Sequence, residues 1–188
     1  MKRLTTGLFL GCLVLVLSAA SYGNSTNFSF DDRISNMRLK HTLGLRYGAP
    51  TSKQNLPIST KEVYFQRQFN PLPHSLAIPL VEVSVSQLNV GDDSGYVYGF
   101  GPAMHVPIAG SNGQLHFTAH GKVHYLTRDD FGRKRYGGPV QWTYAFGLNT
   151  TLTANTFASY TWQHMSNGDV YEYNPALETH TVSLGIKF

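Results

Sequence analysis

Cysteine is all but missing from this chain. The single one, Cys12, sits in an apolar N-terminal run that reads as a secretory leader, so the exported chain is expected to have neither disulfides nor thiol chemistry. Long apolar runs are missing too. Leu8 to Leu17 spans about ten residues, half of the roughly 20 that a helix needs to cross a bilayer. With Lys2 and Arg3 ahead of it and Ser18-Ala19-Ala20 behind it, it has the build of a cleavable signal. Gly11-Cys12 is a poor lipoprotein box, because apolar residues continue past it. The expected division is a leader over 1–20 and one domain over 21–188. A strong charge of one sign is also absent. The formal net charge of +4 falls to about +2 once Lys2 and Arg3 leave with the signal, which gives no reason to expect a nucleic-acid partner.

What the chain does have is alternation. After a Ser- and Asn-rich lead-in over 21–35, Leu39, His41, Leu43, Leu45 and Tyr47 alternate with Arg38, Lys40, Thr42, Gly44 and Arg46, the period of a strand with one apolar face. Similar segments follow at about 59–69, 77–88, 95–107, 114–126, 139–149, 155–165 and 178–188. Turn-forming stretches separate them, among them 48–58, Pro71 to Pro73, Asn89 to Gly95, Ala109 to Gly113 and the charged loop Thr127 to Gly138. The expectation is an all-β protein, an eight-stranded antiparallel transmembrane β-barrel with polar faces inward and apolar faces toward lipid. The competing fold is a soluble lipocalin-like barrel or sandwich with its apolar faces inside. Two features favour the membrane barrel: lysines and histidines populate the faces opposite the apolar ones, and the last strand ends on Phe188, which resembles the assembly signal of bacterial outer-membrane barrels.

The chemistry gathers at Thr161-Trp162-Gln163-His164-Met165-Ser166-Asn167-Gly168 and at Glu178. With both chain termini on the periplasmic side, His164 and Ser166 close the seventh strand at the cell surface, and Glu178 opens the eighth beside them. Tyr160, Trp162, His164 and Ser166 share one side of their strand, and Glu178 shares the side of Val182, Leu184, Ile186 and Phe188, which is the lipid side. Cross-strand neighbours lie about 4.5–5.5 Å apart at Cβ, so His164 can bridge Ser166 and Glu178. These are the side-chain types of a nucleophile, its base and the group that orients the base. A His-x-Ser at a strand end also arises by chance. Against chance stands the expense of an imidazole and a carboxylate on a lipid-facing wall.

At these residues the chain resembles the outer-membrane lipid A 3-O-deacylases, the PagL-type enzymes. The resemblance rests on His164-Met165-Ser166-Asn167, on Tyr160-x-Trp162-Gln163, and on Glu178 following Asn174-Pro175. It implies hydrolysis of the ester-linked 3-hydroxyacyl chain of lipopolysaccharide at the outer leaflet, with Ser166 as nucleophile, His164 as base and Glu178 as orienting acid. It implies Asn167 in the oxyanion hole; Gly168 is the candidate for the second donor. Many members continue Ser-Asn-Ala-Gly where this chain has Ser166-Asn167-Gly168-Asp169, which leaves the second donor open. No cofactor or metal is implied. The expected partners are lipid A and the outer membrane of a Gram-negative bacterium, with a homodimer left open.

Other candidates are weaker. His116, His120 and His124 share a face, but neighbours four residues apart on a strand are separated by roughly 13 Å, too far for one metal ion; polar residues of a barrel interior is the better reading. Glu172 is the rival to Glu178 as the acid. Arg128, Arg133, Lys134 and Arg135 either hold lipid A phosphates or form a solvated loop. The competing function is a non-enzymatic small outer-membrane barrel, structural or adhesin-like.

Overall fold

Period-two alternation governs the computed structural model, which describes residues 40–71 and 75–188. The expected leader over 1–20, the lead-in over 21–35, the first residues of the first expected strand and Pro73 lie outside these. The strands are β1 (His41–Pro50), β2 (Ile58–Gln68), β3 (Ile78–Val90), β4 (Asp93–Pro107), β5 (Leu115–Leu126), β6 (Asp130–Phe131), β7 (Lys134–Arg135), β8 (Val140–Thr151), β9 (Thr156–Ser166) and β10 (Leu177–Lys187). Eight of them close a barrel in the order β1-β10-β9-β8-β5-β4-β3-β2, and β2 returns to β1. Every pairing is antiparallel. Closure leaves no unpaired sheet edge, as a lipid-facing sheet requires.

The two extra strands form a hairpin inside the charged loop over Thr127 to Gly138, where no strand is expected from the sequence. Gly132 turns it with φ +68. Phe131 and Tyr136 anchor it, buried and edge to face with ring centroids 6.0 Å apart. The loop is therefore pinned to the barrel mouth by two aromatics beneath its charged exterior.

Faces separate as a membrane barrel demands. Leu43, Leu45, Val63, Val83, Val85, Phe100, Val123, Val182, Leu184 and Ile186 point outward and are exposed, with Tyr96, Tyr98, Tyr125, Trp142 and Tyr160 among them. Thr42, Arg46, Glu62, Glu82, Thr118, Lys122, His124, Thr143, Thr181 and Ser183 are buried inside. A soluble barrel would have these faces the other way round. His116, His120 and His124 all lie in the interior.

Mid-barrel, polar side chains fill the lumen. Arg46 bonds Glu62 and holds Glu82 through two nitrogens at 3.1 and 3.2 Å. Lys122 Nζ donates to Glu82 at 2.9 Å, Gln66 Nε2 donates to it at 2.7 Å, and His120 Nδ1 lies 3.2 Å from it. Two carboxylates thus face two basic side chains, an arrangement in which buried charges compensate one another. Gly99 makes room for this packing, since a Cβ there would meet the His124 ring at 2.8 Å.

One rim is sealed differently. Ile58, Leu88, Val90, Val97, Leu126, Phe131, Tyr136, Met165 and Leu177 form an apolar plug. At this rim β9 ends and β10 begins. Met165 and Leu177 are direct partners in the β9–β10 register. Burying each such side chain is worth about 1.5–3 kcal/mol, which holds the ends of both strands still.

Candidate active site

Alternation decides what the plugged rim shows to the outside. Met165 points into the plug, so His164 and Ser166 on either side of it point out. Leu177 points into the plug, so Glu178 points out. Glu178 is the direct cross-strand partner of His164, and its Oε1 lies 3.6 Å from His164 Nδ1. That is an ion-pair separation slightly longer than a hydrogen bond, the loose geometry common in sites without substrate. The imidazole is 19% exposed and the carboxylate 49%, so the pair borders the wall's surface and is not enclosed by the barrel. Ser166 shares the outward face of β9 two residues further along, and no hydrogen bond joins its hydroxyl to His164 in this structure.

Neighbours hold this pair from both flanks. On the β8 side, Tyr144 is the register partner of His164 and stacks on the imidazole at 4.8 Å and 20°. Tyr144 in turn packs against Trp162 at 5.7 Å and Phe146 at 5.9 Å. Trp142 stands opposite Ser166. On the β1 side, Thr51 N–H donates to the Glu178 carbonyl at 3.0 Å, and Thr51 Oγ1 donates to Glu178 Oε2 at 3.4 Å. Neither Tyr144 nor Thr51 is a candidate from the sequence. Barrel closure is the signal that reaches Thr51, since the first and last strands must pair. Tyr144 lies on the correct parity of its strand, but loop lengths do not give the register that sets it beside His164.

Asn167 and Gly168 take different positions. Asn167 is fully buried. Its N–H donates to Asn174 Oδ1 at 2.9 Å, and its side-chain amide donates to the carbonyls of Tyr173 at 2.7 Å and Tyr136 at 3.2 Å. Its own Oδ1 accepts from Asp169 N–H at 3.1 Å. Asn167 therefore ties the loop after β9 to the hairpin loop, and its donors are committed there. Gly168 lies in the open with φ +64, a conformation that favours glycine. A Cβ at this position would sit 3.3 Å from Trp142, so Gly168 borders the same outward face as Ser166.

Glu172 is exposed in the loop between β9 and β10, away from the direct pairing that Glu178 makes. In the basic hairpin, Arg128 pairs with Asp93 at 2.8 Å and Arg135 with Asp130 at 3.1 Å. Lys134 lies over the Tyr136 ring at 5.5 Å, and burial there pushes its ammonium below the ordinary lysine range. Much of the loop's charge is thus answered within the loop and its neighbours.

A nucleophile type, an imidazole and a carboxylate on one outward face can cleave an ester presented from the lipid side. The family model described as Lipid A 3-O-deacylase (PagL) matches residues 62–187. Among solved structures, the crystal structure of the outer membrane enzyme PagL is similar at TM-score 0.66 and 13% identity, covering 78% of this chain and 99% of that one. A de novo designed transmembrane β-barrel is similar at TM-score 0.55 and 11% identity, covering 79% and 95%. The Yersinia pestis outer membrane protein Ail, determined in a phospholipid bilayer nanodisc, is similar at TM-score 0.52 and 11% identity, covering 80% and 100%. At these identities the structures speak for the fold alone. No curated protein sequence matches the chain significantly.

Proposed function

Because the chain belongs to the lipid A 3-O-deacylase family, we propose that it hydrolyses the ester-linked 3-hydroxyacyl chain of lipopolysaccharide with Ser166, His164 and Glu178. The observation that carries this is the pairing of His164 with Glu178 on the lipid-facing wall, with Ser166 on the same face.

Each step assigns a role to a named atom. Ser166 Oγ attacks the ester carbonyl carbon, and His164 takes its proton through Nε2. Glu178 holds the Nδ1–H and stabilises the imidazolium that forms. The tetrahedral oxyanion is received by the Gly168 N–H, which has no acceptor among the described residues. Asn167 contributes to the oxyanion hole by fixing the turn that presents Gly168. On collapse, the sugar oxygen leaves with the proton from His164. Water, activated by the same imidazole, then frees the 3-hydroxy fatty acid from Ser166.

The surroundings suit a lipid substrate. Trp142, Tyr144, Phe146 and Trp162 make an aromatic wall beside the reacting groups, where acyl chains can lie while the sugar stays at the headgroup level. The plugged rim is the cell-surface rim in this reading. The two longest connections between barrel strands, over 127–139 and 167–176, lie on that side, and long loops mark the outer face of outer-membrane barrels. The test is purified folded protein in detergent micelles with lipid A, followed by mass spectrometry. Loss of one 3-hydroxyacyl chain, with the free fatty acid recovered, is the expected result. An unchanged acyl set would favour the non-enzymatic barrel.

A further inference from the structure

The β1–β2 loop enters the site from outside the family match, which begins at residue 62. Its first residue, Thr51, makes two contacts with Glu178. The backbone contact is a continuation of barrel closure: Pro50 pairs with Thr179, and one step further the Thr51 N–H reaches the Glu178 carbonyl at 3.0 Å. The second contact uses the side chain, with Thr51 Oγ1 at 3.4 Å from Glu178 Oε2. The other carboxylate oxygen, Oε1, is the one that faces His164 Nδ1. One oxygen is thus held by the loop and the other is aimed at the imidazole.

Glu178 needs such a restraint. Its carboxylate is half exposed, and among the described residues no lysine or arginine pairs with it. The ionisable groups facing it are few. His164 lies across on β9, and Tyr144 lies beyond His164 on β8. His180, two residues along β10, is bonded to Tyr160 at 2.5 Å. Lys53 follows Thr51 in the same loop, without an ion pair among the described residues. A carboxylate without a second partner turns about its last bond and loses its aim at Nδ1.

We infer that Thr51 is a positioning residue of this site, its hydroxyl fixing the Glu178 carboxylate so that the other oxygen orients His164. This inference rests on the Ser166, His164 and Glu178 reading and adds a fourth member drawn from the β1–β2 loop. Its backbone contact closes the barrel, whereas its hydroxyl serves turnover, so the two roles separate by substitution.

Thr51→Val removes the hydroxyl but keeps the N–H bond to Glu178 and the shape of the side chain. In detergent micelles with lipid A, it should lower kcat about fivefold, the size of one modest hydrogen bond, with KM unchanged. Thr51→Ser, which returns the hydroxyl, should restore kcat. Wild-type kcat in Thr51→Val would overturn the inference, as would a loss that appears in KM alone, or a Thr51→Ser variant that stays as slow as Thr51→Val. Ser166→Ala in the same assay separates this from the broader reading: if it stays active, the triad itself is wrong and Thr51 falls with it.

Discussion

The barrel contains two histidine–carboxylate pairs in opposite settings. Inside, His120 Nδ1 lies 3.2 Å from Glu82, whose oxygens are also held by Arg46, Lys122 and Gln66. On the outer wall, His164 Nδ1 lies 3.6 Å from Glu178, which among the described residues is also bonded by the Thr51 side chain. The inner carboxylate is consumed by compensation: its partners are buried, and so is the imidazole beside it. The outer carboxylate is available for one task. The same two side chains therefore fill a core in one place and, in the proposed mechanism, prepare a base in the other, and what differs is the number of competing partners and the exposure of the pair.

The sharpest way to break this comparison is to remove the outer pair's chemistry. Ser166→Ala or His164→Ala should lower kcat by about 10⁴-fold or more while leaving the barrel assembled, since neither side chain enters the interior. Heat-modifiable gel migration checks assembly, and release of 3-hydroxy fatty acid from lipid A checks turnover. Glu178→Ala should follow at about 10²–10⁴-fold in kcat. If Glu172→Ala proves as damaging as Glu178→Ala, the acid has been assigned to the wrong residue.

Breaking the inner pair should do the reverse. Glu82→Ala strands Arg46 and Lys122 against a single carboxylate and should cost about 3–5 kcal/mol of stability, read from urea unfolding in micelles. The surviving folded fraction should keep a normal turnover per molecule. A stable but inactive Glu82→Ala barrel would show that the two regions are coupled. Asn167→Ala should be milder, costing about 1–3 kcal/mol through the two carbonyls and the Asp169 N–H it leaves unpaired. Its kcat should fall with the loosened Gly168 turn. The smallest effect is expected from Tyr144→Leu, which keeps an apolar neighbour but removes a ring stack worth about 0.5–1.5 kcal/mol; kcat should drop by no more than about tenfold.

The sequence exposes these two regions unequally. Period two fixes which side chains share a face, so Lys122 and His124 inside, and Tyr125 and Trp142 outside, follow from counting. Most strand limits follow within about two residues, because Pro, Gly and Asn clusters stop the alternation; β1 is the exception, since pairing with β10 carries it through Gly48 and Ala49 to Pro50, where a loop is expected. His164 and Glu178 as direct partners also follow, since both sit next to the single loop that joins their strands. What counting cannot supply is register across longer loops. Tyr144 reaches His164 only after the hairpin of β6 and β7 has used up its residues, and that hairpin is driven by Phe131 and Tyr136 packing into the plug, a tertiary contact with no local signature. Asn167 shows the same limit. The family resemblance implies a place for it in the oxyanion hole, and in the structure its amide bonds the carbonyls of Tyr136 and Tyr173, one of them 31 residues away.

The most direct test of the outer pair is covalent trapping. A lipophilic phosphonofluoridate, incubated with the folded barrel in micelles, reports which hydroxyl the neighbouring base has made nucleophilic, and peptide mapping by mass spectrometry locates the adduct. The expected result is a single adduct on Ser166, lost in His164→Ala and slowed in Glu178→Ala, with Glu82→Ala labelled normally wherever it folds. An adduct on another residue, or none on Ser166 in the wild-type protein, would contradict the assignment of His164 and Glu178 as the pair that activates it.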